Sequence, residues 1–272
     1  MAVSVVEIGD GKAGFTLSGT KIKVSVSAKG LLDTAQRVGS TAPPLSLKQD
    51  LMLYWGNGGR NAPACNADGS GGDGGSQSDA YVFSPQGAAS SLARLGAAED
   101  RGFWPAAGQL DSRDATYGPK PPQRGAAVSI TGPLLEEVSA VFAVGNTSLW
   151  QGARVYSTDA DIELAYVIAP LASNQDVISR FTTGMITGGT LHADEAGWAE
   201  MAHAPRISYD SVQSKIGCNY HPTSGWAAVQ SYDGGSVAVL TDRARGAASL
   251  GDGSLEYILH RHATGGNGRG PS

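Results

Sequence analysis

Cysteine is nearly absent: Cys65 and Cys218 are the two in 272 residues. Far apart in sequence, they could close one disulfide or stay as two thiols. The glycine-rich surroundings of Cys65 favour a free thiol over a structural bridge. Charge is sparse as well, at 17% of residues, and the net charge is -5. Such a balance lacks the basic face that nucleic acid or an anionic membrane would require. No window reaches the roughly 18 to 20 apolar residues of a membrane span. The first residues, MAVSVVEIGDGK, hold neither the apolar run of about 7 to 15 residues nor the cleavage site of a signal peptide. A Gly-x-Ser-x-Gly elbow, a P-loop and a dinucleotide fingerprint are missing too. The glycines of residues 56–75 lack the strand-turn-helix setting those motifs need.

What is abundant is glycine, 38 residues, which points to many turns and an all-β chain with long glycine-rich loops. The length allows one large or two modest domains. Residues 21–27, KIKVSVS, alternate with Ile22, Val24 and Val26 on one face, the pattern of a half-buried strand, and Lys29-Gly30 then turns the chain. Residues 1–55 are entry strands. Residues 56–79 bury too little apolar surface to offset the entropy of ordering and form a flexible loop. Residues 80–272 form the main β region, with a surface insertion at about 86–124 that includes a short helix near residues 88–100. Strands are expected at 126–143, 152–156, 162–168, 215–222 and 226–232, and Asp233-Gly234-Gly235 is a hairpin signal. Regular strand spacing from residue 126 onward indicates a large antiparallel sandwich. Asp159 and Asp161 belong to a solvated turn, since nothing apolar surrounds them to raise a pKa.

The polar centre of the chain is residues 237–270. An apolar strand breaks at Thr241-Asp242-Arg243 into a loop, and the chain re-enters a strand at 254–260. Rigid flanks suit a loop that presents side chains to a ligand. On spacing alone, Asp242 and Arg243 read equally as a solvated surface pair. His260 and His262 share a strand face, but a zinc site needs three or four ligands, so the pair by itself makes none. Trp55, Trp104 and Trp198 could stack on sugars or anchor core and loops.

Leu240-Thr241-Asp242-Arg243, Gly246, Ser249-Leu250, residues 252–256 (DGSLE) and residues 268–270 (GRG) resemble the signature of glycoside hydrolase family 38, the α-mannosidases of lysosome, vacuole and Golgi. In the same order stand Ala80-Tyr81-Val82-Phe83 with Pro85, residues 154–156 (RVY), 162–164 (IEL), 178–181 (ISRF), and Asn219-Tyr220 with Pro222. The resemblance runs from about residue 22 to the end and corresponds to the β region that follows the family's catalytic domain.

That resemblance implies a galactose-mutarotase-like supersandwich, incomplete here, within a zinc-dependent retaining α-mannosidase that acts on mannose-containing glycans. It implies substrate contacts from Tyr81 and Arg243, with Asp242 fixing the loop, while Phe83 packs. It places the catalytic residues and zinc on a catalytic domain of the same enzyme that this chain lacks. The chain alone is then inactive and binds no metal itself. A secretory-pathway, lysosomal, vacuolar or Golgi setting follows, in which a sequon at Asn146 is compatible with glycosylation. It also implies that Asp194 makes an Asx turn with Gly197. The alternatives are a non-catalytic carbohydrate-binding or structural sandwich, and a mutarotase-like epimerase, for which no His and Glu base pair is placed.

Overall fold

The computed structural model describes residues 4–8, 14–56, 83–92, 127–145, 147–195, 197–206 and 212–263. It is nearly all antiparallel β-structure and divides into two compact units. One unit holds Met1–Lys48 with Leu92–Leu171, the other Gln49–Ser91 with Ala172–Ser272.

The first unit starts with β1 (Ser4–Ile8), β2 (Phe15–Ser18), β3 (Ile22–Val26) and β4 (Leu32–Arg37). The alternation of residues 21–27 appears as designed: Ile22, Val24 and Val26 are buried, and Phe15 and Leu17 of β2 stand opposite Val26 and Val24. Next, β5 (Leu45–Trp55) begins in this unit and ends in the second, where β6 (Ser90–Ser91) pairs with its Met52 and Leu53. The short helix expected near residues 88–100 is therefore corrected at its start to a strand, and residues 93–100 lie outside the described residues.

Returning to the first unit, β7 (Ala127–Thr131), β8 (Leu135–Val144), β9 (Thr147–Tyr156) and β10 (Glu163–Ile168) join β1 in a sheet ordered β1-β7-β8-β9-β10. This sheet packs through β8 and β9 on β2 of the layer β2-β3-β4-β5. At the Lys29-Gly30 turn, Gly30 has φ +83° and lies so close to Ala140 that a Cβ would come within 2.5 Å of the alanine methyl. Only glycine meets both demands. Asp159 and Asp161 are exposed in the turn after β9, as expected.

In the second unit the end of β5 continues a sheet ordered β5-β11-β18-β17-β14: β11 (Gln175–Thr183), β14 (Tyr220–Thr223), β17 (Arg245–Ala248) and β18 (Ser254–His262). The facing sheet is β13-β12-β15-β16: β12 (Leu191–Glu195), β13 (Ala199–His203), β15 (Trp226–Gln230) and β16 (Ser236–Leu240). Between them lie Leu191, Ala193, Ala227 and Val229 against Ala247, Leu255 and Tyr257. The Tyr257 hydroxyl crosses the sandwich to the carbonyls of Ala227 and Val239, so its buried polar tip is satisfied.

Strand alternation turns Glu256 and Ile258 to the opposite side of the β5-β11-β18 sheet. There Ile258 packs with Met52, Tyr54, Ile178 and Ile216, joined by Phe83, Tyr220 and Leu250.

Three expectations are corrected in this unit. The sheet element expected at 215–222 is a helix, α1 (Val212–Gly217), followed by β14; Ile216 of the helix is buried against the sheet, and tertiary packing overrides local pattern. Residues 237–260 hold a further strand, β17, inside the supposed loop. Cys218 is disulfide-bonded, not a free thiol. The chain's other cysteine, Cys65, lies outside the described residues.

Candidate functional site

The hairpin signal at Asp233-Gly234-Gly235 performs as expected: Gly234 adopts φ +95°, and β15 and β16 pair from Trp226 opposite Leu240 to Gln230 opposite Ser236. The loop that follows, residues 241–244, carries the chain from one sheet to the other. Its entry is fixed where the Thr241 amide donates to the Gly225 carbonyl at 2.7 Å. Arg243 donates to Asp242 Oδ2 through Nε at 3.0 Å and an Nη at 2.6 Å. Both side chains are exposed, Arg243 at 71% and Asp242 at 59%.

A third member escaped the sequence analysis. Arg245 donates to the other Asp242 oxygen at 3.0 Å and anchors itself on the carbonyls of Ile258 (3.3 Å) and Leu259 (2.6 Å). Those carbonyls border the register shift of β18 against β11, where Val177 faces His260 and Ile178 faces Ile258. A β-bulge of this kind frees backbone acceptors from the ladder. The only sequence signal for Arg245 was its spacing of three from Asp242. Hydrogen bonds from Arg243 and then Arg245 draw the Asp242 pKa down to about 2. The loop thus offers an exposed guanidinium oriented by a carboxylate that is itself tied to the sheet.

Further along the same motif, on β18, Glu256 is wholly buried. Arg180 Nε donates to its Oε2 at 2.5 Å, the Tyr54 hydroxyl donates to Oε1 at 3.0 Å, and the Tyr220 hydroxyl donates to Oε1 as well. Arg180 also donates to the Tyr54 oxygen at 3.2 Å. Burial, and then the Glu256 charge, push both tyrosine pKa values up, so the phenols stay protonated donors. Four residues scattered over the chain therefore close one hydrogen-bonded cluster. With no solvent exposure Glu256 serves the fold and not a ligand.

Phe83 caps this cluster. Its ring meets Tyr54 edge-on at 5.4 Å and Tyr220 at 4.4 Å, and the Arg261 guanidinium lies 5.3 Å from its centroid. Arg261 in turn pairs with buried Asp176 at 2.7 Å. Phe83 packs as expected. Tyr81, expected at the sugar, lies outside the described residues, as do Asn146 and Trp104.

Other signature residues proved structural. Asp252 Oδ1 accepts from the amides of Thr187 and Gly188 and from the Thr187 hydroxyl, tying the start of β18 to the loop after β11. Asn219 binds both the amide and the carbonyl of Arg206 and the Lys215 carbonyl, closing α1. Asp194 stands at the turn expected with Gly197, where its carbonyl accepts from the Gly197 amide at 3.4 Å. Its carboxylate reaches 30 residues on to the amides of Ser224 (3.0 Å), Gly225 (2.8 Å) and Trp226 (3.2 Å). Trp55 and Trp198 are exposed, at 48% and 93%, and not core residues.

His260 and His262 find no third ligand: among the described residues no group of three His, Cys, Asp or Glu could hold a metal ion. The zinc of the resembled family does not fit these residues. Burial, His262 and Arg245 instead lower the His260 pKa. Among the described residues no helix is long and apolar enough to cross a membrane.

Paired layers of antiparallel strands, with polar loops raised on them, define an all-β sandwich domain. The model of the glycosyl hydrolases family 38 C-terminal domain matches residues 17–268, and the chain belongs to that family. Lysosomal alpha-mannosidase of Cavia porcellus is 33% identical over 135 residues, 46% of this chain and 13% of that protein. Its Homo sapiens counterpart is 32% identical over 151 residues, covering 52% and 14%. Alpha-mannosidase of Canavalia ensiformis is 29% identical over 164 residues, covering 56% and 16%. A solved alpha-mannosidase from Enterococcus faecalis V583 shares the fold with a TM-score of 0.56 at 10% identity, over 96% of this chain and 26% of that one. The matched part of this chain spans only 13–16% of the length of these curated relatives.

Proposed function

We propose that this chain is the β-sandwich portion of an α-mannosidase and contributes the Asp242–Arg243 loop, together with Tyr81, to a site for terminal α-mannose of glycans. The observation that carries this proposal is the exposed Arg243 guanidinium, held by two hydrogen bonds to Asp242 and backed by Arg245, in a chain of family 38. Sugar hydroxyls are neutral donors and acceptors. A fixed guanidinium with N–H groups still turned to solvent recognises them without a counter-charge.

The reaction itself belongs to a catalytic domain outside this chain. A retaining glycosidase needs two carboxyl groups roughly 5 to 5.5 Å apart, one as nucleophile and one as acid/base. Neither role falls to a residue named here, since Glu256 and Asp176 are buried and paired and Asp242 serves the loop. The zinc that the family resemblance implies would be held by residues of that catalytic domain, since among the described residues here no group could hold it. The lysosomal names of several relatives support a secretory-pathway or lysosomal setting.

The test is to assay hydrolysis of a chromogenic α-mannoside by the chain with zinc, alone and after adding a family-38 catalytic region, alongside mannoside binding by calorimetry. Binding without turnover by the chain alone, and turnover only on addition, is expected. Turnover by the chain alone would refute the division of labour. Absence of any mannoside binding would refute the sugar-site role.

A further inference from the structure

The sheet β13-β12-β15-β16 has one face in the core and one open. Leu191, Ala193, Ala227 and Val229 point inward. The residues between them point out, and the register sets them in rows. Trp226 stands opposite Leu240; in the next row lie Ala238, Ala228, His192 and Ala202; beyond them Gln230 stands opposite Ser236. Leu240 is 80% exposed, and Ala202, Gln230, Ser236 and Ala238 are exposed too. Ala228 itself is buried at 8% exposure, so the open part of this face is a shallow lane along Ala238 and Ala202 with one half-buried indole at its end.

The lane runs into the Asp242–Arg243 loop. Trp226 follows Gly225, whose carbonyl receives the Thr241 amide, and Leu240 precedes Asp242 by two residues, about 7 Å of extended chain. The Asp194 carboxylate holds the amides of residues 224–226, so the turn that carries the indole is fixed relative to the loop.

We propose that this outer face, centred on Trp226 and Leu240, is a platform for the sugar residues that precede the terminal mannose of a glycan held at the Asp242–Arg243 loop. The proposal rests on the sugar-site role of that loop. Its ligand is an α-linked manno-oligosaccharide. A pyranose presents one face of C–H groups, which stacks on an indole, and a rim of hydroxyls, which needs neutral or paired polar partners. The lane supplies that combination: indole and Leu240 beneath, Gln230 and Ser236 at one end, and the paired His192 and Glu200, 2.8 Å apart, along the strands. The exposed Ala238, diagonal to the indole across β15 and β16, leaves room for a ring. Exposed apolar surface rimmed by polar groups next to a binding loop marks a groove.

Calorimetric titration of the full chain with methyl α-mannoside and with a linear α-linked mannotriose tests this, on the wild type, W226A, W226F and R243A. The trisaccharide is expected to bind about tenfold more tightly than the monosaccharide, and W226A to reduce that advantage to about threefold or less, the loss of one aromatic stack. W226F should retain most of it, which separates stacking from misfolding. Equal affinity for the two sugars, or an unchanged advantage in W226A, would overturn the platform. Monosaccharide binding indifferent to R243A would instead overturn the loop's role, while a trisaccharide advantage lost in W226A would stand. Self-association abolished by L240S would also overturn the platform, because a second copy would then cover this face.

Discussion

Replacing Glu256 by glutamine keeps the side chain's shape and removes the carboxylate charge to which Arg180, Tyr54 and Tyr220 all donate. Removing one partner of a buried ion pair costs about 3–5 kcal/mol, because the other charge is left uncompensated. Glu256 has no exposure, but the Arg180 side chain is 25% exposed and can regain some water. The expected loss is therefore at the low end, about 3 kcal/mol, which for a chain of this size lowers Tm by roughly 6–12 °C. In urea the midpoint should fall with the slope unchanged. Y54F and Y220F should each cost about 1.5 kcal/mol, a hydrogen bond to a charged group. R180M/E256M should be more stable than either single variant by about 1 kcal/mol, since no lone charge then remains buried. The damage should also reach Phe83, seen as faster hydrogen exchange at the Gln86 amide, which donates to the Trp55 carbonyl. A loss in E256Q below about 0.5 kcal/mol, or a double variant no better than the singles, would refute the cluster's role.

Four further outcomes follow from the geometry. R243A should leave stability within about 0.5 kcal/mol, because the Asp242 pair is solvated, yet weaken mannoside binding; urea melts and calorimetry on the same samples separate the two effects. Asp242, with its pKa drawn down to about 2, stays charged as pH falls, so binding through the loop should hold level from pH 7 to about 4, and a drop confined to that range in a pH titration of affinity would count against it. His221 stacks on His203 at 3.7 Å, and burial, His203 and Arg206 lower its pKa to about 4. The unfolded chain then binds the extra proton; the full shift corresponds to about 3 kcal/mol, and discounted for the ring's partial exposure to solvent the stability should fall by about 2 kcal/mol as pH drops from about 6.5 to about 4, and level off below; Tm against pH should be flatter in H221Q. D194A strips three amides of their acceptor and should cost about 2–3 kcal/mol, with exchange at Ser224, Gly225 and Trp226 rising selectively.

Much of the local architecture was legible. Alternation marked the Ile22–Val26 strand, Asp233-Gly234-Gly235 marked its hairpin, and the ordered motifs identified the family now matched over residues 17–268. Less legible was the helix Val212–Gly217, whose six residues are under two turns long and owe their place to the burial of Ile216. Asp194 was legible in part: the nearby glycine marks its local turn, but the amides that its carboxylate serves lie 30 residues away.

By itself the sequence determined the all-β class, most strand positions and the family, because side-chain alternation and turn chemistry are properties of a few adjacent residues. Tertiary structure alone decided which signature residues are exposed and which hold the fold. Asp242 and Glu256 are both acidic and 14 positions apart in one motif, yet one is exposed and the other sealed beneath Tyr54, 202 residues away. That difference is set by sheet order and register, which bring distant strands together, and no local pattern encodes it.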